Sequence, residues 1–374
     1  MDFYLAEVHA GVVDYAREAR WILQDAACYI PSVLTQIVEP FDGVLATAVF
    51  PPLQAWLRKL KVPVVRMACA DRQLPFPAVE PDPEAIGAKA AQYLLTLGNP
   101  HFAYYCTASV EETRACWTGF SRVLRAAGHE PTLLDFWTAT GQSPEATPPP
   151  RPVRWAWLRK RLPKLPRPLA VLVEDDRFLP DLYETADQLG WRVPEDLALM
   201  GQDARPLILA KLPIPSTSID TGLYRIGYEA AALLDRLISG QSAPAEVRRV
   251  PPGDVVARRS TAVCYCSHEG VSRAITYLRR HFVEPLTLES VAAAGSVPSR
   301  TLQGMFKEAT GHTFTEELTR LRLDHAIRLI RTSDLKLESV AHESGFGNAR
   351  YLCEVFRKVL GSTPTAYRTG HGIA

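Results

Sequence analysis

Three groups of residues carry side chains suited to chemistry. The first is acidic. Glu174-Asp175-Asp176-Arg177 follows the apolar run Leu169-Ala170-Val171-Leu172-Val173, and Gln202-Asp203 follows Leu197-Ala198-Leu199-Met200. Carboxylates just past a buried strand are placed to accept hydrogen bonds from a bound ligand. Such a cluster also suits a phosphoacceptor, but the chain is too long for a receiver and lacks its surrounding pattern. The second group is Cys264-x-Cys266-x-His268, whose side chains ligate metals. No second pair lies at finger spacing, so a reduced linker is expected rather than zinc. The third group is Arg300, Thr301, Gln303 and Lys307, matched further on by Asn348, Arg350, Cys353, Glu354 and Arg357. Side chains of these types hydrogen-bond base edges and phosphates. The chain has no Walker A loop, G-x-S-x-G elbow, H-E-x-x-H or nucleotide fingerprint, so neither an enzyme nor a cofactor is expected.

The scaffold for these groups is 374 residues long, which predicts two or three domains. Apolar residues make up 47% and charged residues 22%, an ordinary globular balance, and the net charge of +1 gives the whole chain no bias toward nucleic acid or acidic membranes. No apolar run is long enough to span a bilayer, and Met1-Asp2-Phe3-Tyr4 does not open a secretory leader, so a cytoplasmic protein is expected. Seven irregularly spaced Cys argue against a disulfide framework.

Residues 20–265 alternate strand-like runs (Phe41–Ala46, Val62–Val65, Phe102–Tyr105, Leu169–Val173, Leu197–Met200) with amphipathic stretches (Glu84–Leu97, Cys116–Ala127, Leu179–Leu189, Tyr224–Ile238). That alternation predicts a parallel α/β sheet. Ser143–Pro168 holds eight Pro and reads as a surface excursion around a short helix near Trp155–Arg161. Its basic cluster, Arg154, Arg159, Lys160 and Arg161, is expected to be a solvated face.

From Tyr265 onward strand signals vanish. This part has 14 Lys and Arg against 11 Asp and Glu, whereas the preceding part has 28 against 30. It also contains a duplication. Leu288-Glu289-Ser290-Val291-Ala292 recurs as Leu337-Glu338-Ser339-Val340-Ala341, and Leu302, Phe306, Gly311 and Thr313 answer to Leu352, Phe356, Gly361 and Thr363. Each copy predicts helix, tight turn, helix. Thr287 caps the first helix and Gly295-Ser296 or Gly345 makes the turn. The second helices, near 299–309 and 349–360, bury Leu302, Met305 and Phe306, or Leu352, Val355 and Phe356. Two helix-turn-helix units joined by a helix over Glu316–Thr332 could place their second helices in successive major-groove segments of one duplex. A plain helical bundle would carry the same apolar stripes, but the duplication, the turns and the polar faces together favour DNA.

Positions 271–370 resemble the DNA-binding domain of the arabinose-regulator (AraC/XylS) family. The resemblance rests on Gly345-Phe346-Gly347-Asn348-Ala349-Arg350-Tyr351-Leu352-Cys353-Glu354-Val355-Phe356-Arg357-Lys358, then Gly361-Ser362-Thr363-Pro364 and Tyr367-Arg368. It implies base-contact positions at Arg300, Thr301, Gln303 and Gly304 and at Asn348, Ala349, Arg350, Cys353 and Glu354. Lys307, Arg357 and Lys358 are expected to meet phosphate. Gly304 and Ala349 bring no side chain to read with, and Pro298 stands where a small capping residue is usual. Residues 1–262 resemble the sugar-sensing core of the lactose-repressor type through Phe41-Asp42-Gly43-Val44, Val62-Pro63-Val64-Val65, Leu94-Leu95-Thr96-Leu97-Gly98, Val193-Pro194-Glu195-Asp196-Leu197, Met200-Gly201-Gln202-Asp203 and Arg258-Arg259-Ser260-Thr261. That implies a two-lobed periplasmic-binding-protein-like (type I) α/β fold, a linker at 263–270, and then the all-α domain with its two helix-turn-helix units.

The sensor family opens with a β-strand. Here Tyr4–Arg17 already reads as the first helix and Trp21-Ile22-Leu23 as the second strand, so the first strand is expected to be missing and the coding start to lie upstream. The resemblance implies a small sugar effector, a pentose such as xylose foremost. Asp175 and Asp203 are the expected hydroxyl acceptors, with Asp176 as the alternative register. Arg114 is the expected donor, although the family more often has its Arg where Cys116 stands. The blander expectation is that Asp176 caps the next helix and Arg177 is solvated. Promoter DNA, a second copy of the chain and RNA polymerase are the expected partners. The competing possibility is a sugar-binding protein or enzyme whose helical tail is only a docking domain.

Overall fold

The computed structural model describes residues 3–24, 40–47, 51–68, 75–107, 111–140, 150–242, 247–266 and 268–370. Met1, Asp2 and the Ser143–Pro149 part of the Pro-rich stretch lie outside the described residues. The chain divides into two compact units, one comprising 1–94 and 101–261, the other 95–100 and 262–374.

Among the described residues the first unit contains two sheets. One has the order β1 (Val44–Ala46), β2 (Val64–Met67), β3 (Ala78–Pro81), β9 (Arg248–Val250), all parallel. The other has the order β10 (Val255–Val256), β8 (Thr217–Ile219), β7 (Leu197–Gln202), β6 (Leu169–Val173), β4 (His101–Cys106), β5 (Thr132–Asp135). It is parallel except where β10 runs against β8. Among the described strands the chain passes between the sheets after β3, after β8 and after β9, which makes two lobes. The central strands β6 and β7 are buried along their whole length, as the unbroken apolar runs required.

The described helices of this unit are α1 (Phe3–Glu18), α2 (Pro51–Leu57), α3 (Pro83–Leu95), α4 (Glu111–Ala126), α5 (Phe136–Thr140), α6 (Arg151–Arg161), α7 (Leu179–Gln188), α8 (Pro206–Leu209) and α9 (Leu223–Ile238). Two helix pairs touch backbone to backbone through glycine. A Cβ on Gly11 of α1 would lie 2.0 Å from Tyr224 O, and one on Gly227 of α9 would lie 1.8 Å from Val8 O. Gly87 of α3 and Gly119 of α4 make the same reciprocal approach to Cys116 O and Glu84 O.

Two sequence expectations are corrected here. Trp21-Ile22-Leu23 forms no strand. Trp21 instead donates from Nε1 to Asp235 of α9 at 3.2 Å, and Ile22 is 99% exposed. A strand exists only by pairing, and among the described residues these three have no strand partner. Arg154 is not on a solvated face. It is buried, donating to Asp181 of α7 from Nε at 2.6 Å and from Nη2 at 3.2 Å, and it lies over the Phe178 ring. That pair ties α6 to α7 by charge-assisted bonds a bare cluster of Arg and Lys letters does not reveal. Arg159, Lys160 and Arg161 are exposed as expected.

The second unit is helical: α10 (Glu269–His281), α11 (Leu288–Gly295), α12 (Ser299–Thr310), α13 (Phe314–Thr332), α14 (Leu337–Glu343), α15 (Ala349–Leu360) and α16 (Pro364–Gly370). Among the described residues it has two small cores. Val271, Ile275, Leu278, Val291, Leu302 and Phe306 form one, which also takes in Phe314 and Leu321 of α13. Leu323, Ala326 and Ile330 of α13 join Val340, Leu352 and Phe356 in the other. The 19-residue α13 is therefore a shared spine, about 28 Å long at 1.5 Å per residue. The segment Leu95–Pro100 is built into this unit. Tyr265 N donates to Leu97 O at 2.7 Å, and Gly98, at φ +73°, comes so close to Tyr265 O that a Cβ would sit 2.0 Å from it.

Candidate ligand site and candidate DNA-reading helices

In the first unit the carboxyl ends of β6 and β7 bring Asp175 and Asp203 together through a residue that sequence reasoning missed. Arg205 is 2% exposed at its side chain, and its Nη2 lies 3.0 Å from Asp175 Oδ2 and 2.6 Å from Asp203 Oδ2. Thr221 donates to the other Asp203 oxygen at 2.7 Å. Burial, then the charge of Asp175, pushes the Asp203 carboxyl above the usual range although Arg205 opposes the shift. Asp203 and Ala204 are held at φ +85° and +52°, a left-handed turn that aims the following Arg205 back at the carboxylates.

The cap expected of Asp176 is made by Asp175. Asp175 is the N-cap, accepting from Arg177 N at 2.7 Å, and it also pairs with the half-exposed Arg177 side chain at 2.9 Å. Asp176 is fully buried beneath, accepting from Arg205 N at 2.9 Å and from the Ser218 hydroxyl at 2.8 Å. Burial, then the Asp203 charge, drives its carboxyl well upward. A Cβ on Gly201 would strike Asp176 Oδ1 at 1.9 Å, so glycine makes room for this carboxyl inside the sheet layer.

Glu174 was also missed as a positioned group. Its Oε1 accepts from Thr107 N at 2.6 Å and from the Thr107 hydroxyl at 2.5 Å, and its Oε2 from Thr113 of α4 at 3.4 Å. It thus ties the end of β4 to the start of α4. Gln202 is buried and donates to Val173 O at 3.0 Å. Arg114 is exposed on α4. A carboxylate pair with one guanidinium between its members can exchange internal hydrogen bonds for those of a polyhydroxyl ligand.

In the second unit both predicted turn–helix units are present. Thr287 and Ser290 form a capping box at α11. Gly295 does not supply the left-handed turn residue. Ser296 does, at φ +57°, while Gly295 is pressed against Gly270 O of α10, 2.3 Å from where its Cβ would be. In the second copy Gly345 makes the turn at φ +81°. Gly311 and Gly361 close α12 and α15 in the left-handed conformation. Leu302 and Phe306, and Leu352, Val355 and Phe356, are buried, while Met305 is only partly so.

On the opposite faces Arg300, Gln303 and Lys307 are exposed on α12, as are Arg350, Glu354, Arg357 and Lys358 on α15. Thr301 and Cys353 are half-buried. Asn348 is exposed, but its Oδ1 caps α15 by accepting Tyr351 N at 2.8 Å. Pro298 starts α12 with no side-chain cap. Glu317 of α13, fully buried, accepts from Arg279 of α10 at 3.3 Å and from Arg320 at 2.9 Å. Burial raises its carboxyl, but the two guanidiniums overcome that and hold it below the usual range.

The residues 263–270, expected to be a linker, are largely part of this unit. Cys264 is buried in its first core, and its thiol points to Ala309 O. Cys266 points to His268 O, and the His268 ring caps α10 by accepting Val271 N.

Comparison with known proteins matches two families: periplasmic binding protein-like domains over residues 91–261 and helix-turn-helix domains over 291–370. The xylose operon regulatory protein of Escherichia coli K12 is 27% identical over 221 residues, covering 58% of this chain, which spans only 56% of that relative's length. The protein of the same name from Haemophilus influenzae is 22% identical over 98% of this chain and 95% of its own. The solved xylose-binding transcription activator xylR has the same fold, with a TM-score of 0.57 at 22% identity over 99% of this chain and 95% of that one. No helix among the described residues is long and apolar enough to cross a membrane. The chain therefore joins a periplasmic-binding-protein-like α/β domain to a helix-turn-helix domain, and its relatives include xylose operon regulatory proteins.

Proposed function

We propose that this chain is a sugar-controlled transcription regulator without enzymatic activity. The helical unit binds promoter DNA, with α12 and α15 entering successive major-groove segments. The α/β unit binds a small sugar, a pentose such as xylose, at the carboxyl ends of β6 and β7. The observation that carries the proposal is the duplication. Two helices with buried Leu and Phe at matching positions present exposed Arg300 and Arg350 at the same place.

Arg300 and Gln303 would read base edges, Thr301 would pack beside them, and Lys307, Arg357 and Lys358 would meet phosphate. Asp175 and Asp203 would accept sugar hydroxyls, exchanging the Arg205 bond for them, and Arg114 would donate from α4. Sugar binding would then shift the population between two states of the sensor. A homodimer would span paired half-sites, and RNA polymerase is the expected contact of the bound complex. The names of the relatives and the match to a helix-turn-helix family support the proposal.

The test is binding of the full chain to its own promoter fragment across a salt series, with calorimetry against pentoses and hexoses. Phosphate contacts predict a steep fall of affinity with salt. No binding at low salt would leave a sugar-binding protein with a helical docking tail as the better account.

A further inference from the structure

The twin reading helices differ at one telling position. α12 and α15 are both 12 residues long, and Leu302 and Phe306 stand where Leu352 and Phe356 stand. In that register Arg300 matches Arg350, Lys307 matches Arg357, and Gly304 matches Glu354. Gly304 is exposed in mid-helix, is not among the residues of positive φ, and a Cβ there would meet nothing within 4 Å. Glycine inside a helix costs stability relative to alanine, and nothing in the fold calls for it here.

Glu354 is equally unexplained by the fold. It accepts from Arg350 Nε at 3.1 Å with the two side chains 59% and 90% exposed. Such an exposed pair adds little stability, and with the Arg preceding the acid it has the weaker orientation on a helix. A carboxylate on a helix face aimed at phosphates also opposes binding unless it is itself used.

We infer that this position makes the two reading helices unequal. At Gly304 the bare backbone of α12 lies directly against the base-pair edges. At α15 the Arg350–Glu354 pair reads a guanine and a neighbouring cytosine. Glu354 holds Nε of Arg350, so the terminal amino groups of Arg350 are aimed together at N7 and O6 of guanine, while the carboxylate accepts from N4 of cytosine. Arg300 has no acid four residues on, so α12 contributes closeness of fit and α15 contributes stringency. The inference rests on the DNA-binding role proposed above.

The test selects duplexes with full-length protein from a random-sequence pool. Binding of the selected duplex is then compared for the native protein, Gly304→Ala, Gly304→Glu and Glu354→Gln, with urea unfolding followed by far-ultraviolet circular dichroism. Gly304→Ala should raise the unfolding midpoint yet weaken binding about tenfold, and Gly304→Glu should weaken it more. Glu354→Gln, reselected, should lose the cytosine at one position and keep the rest of the site. A Gly304→Ala protein that is more stable and binds as tightly as the native one overturns the inference, as does a Glu354→Gln protein that reselects an unchanged sequence. If the native protein selects no sequence at all, the DNA-binding role itself falls, a result distinct from both.

Discussion

Replacing Arg205 by methionine removes a cation seated between two carboxylates while keeping an unbranched side chain of similar length. The Arg205 backbone N–H still reaches Asp176, so the turn keeps that anchor. Asp175 retains Arg177, but Asp203 loses its ion pair and keeps only the Thr221 hydroxyl. Breaking a buried pair from one side costs about 3–5 kcal/mol, and the surviving Arg177 bond favours the lower end, about 3 kcal/mol.

The loss should depend on pH. Burial and Asp175 already raise the Asp203 carboxyl in the native protein, and without Arg205 it rises further. A group whose folded pKa is raised stabilises while protonated, and that contribution is lost as pH climbs through the folded value. The deficit of the variant should therefore be smaller at an acid pH than at neutral pH, growing as the Asp203 carboxyl ionises. All seven Trp lie at or before Trp191, so their fluorescence during urea unfolding follows the α/β unit without signal from the helical one. A loss below about 1 kcal/mol, or one equal at both pH values, would refute the argument that Arg205 compensates two buried charges.

Gly87→Ala should destabilise the same unit by about 1–3 kcal/mol, read by the same fluorescence, because its Cβ would lie 2.0 Å from Cys116 O and force α3 off α4. Ala204→Gly should stabilise it by up to about 1 kcal/mol, since Ala204 is held at φ +52°. In the helical unit, burial and then the Arg328 charge lower His325 to about 4. The neutral form is thus favoured on folding, and stability should fall as pH drops from about 6.5 toward 4; His325→Phe should flatten that slope in a dichroism-monitored titration. Arg300→Ala should cost about 1–3 kcal/mol of DNA binding and relax preference at one base step, whereas Lys307→Ala should weaken all sequences alike and lower the salt slope; equal, sequence-blind losses from both would remove Arg300 from the reading role.

The elements that announce themselves by period were legible in the sequence. The central strands are unbroken apolar runs, and the two turn–helix units repeat each other letter for letter at Leu-Glu-Ser-Val-Ala. Short edge strands such as β9 and β10 were not, because Arg248-Arg249-Val250 and Val255-Val256 become strands only by bonding to β3 and β8. At the acidic cluster the carboxylates stood out by position, but which of them caps and which is buried did not. Asp175 and Asp176 are adjacent letters, and only the point at which the helical turn begins decides which one caps it and which is buried on Ser218. Arg205 could have been suspected as a lone cation two residues past Asp203. Arg154 could not, because its partner Asp181 is 27 positions away on another helix.

The placement of Leu95–Pro100 in the helical unit has a practical side for anyone hoping to treat this protein as two interchangeable cassettes. The polypeptide enters that unit, leaves it and enters again, so a gene fragment opening at Ala262 leaves six of its residues behind on the donor. Among them is Leu97, whose carbonyl receives the Tyr265 amide. A chimera that grafts the helical unit onto a foreign α/β domain inherits an orphaned amide unless the borrowed domain supplies a turn of the same shape, with glycine at its tip.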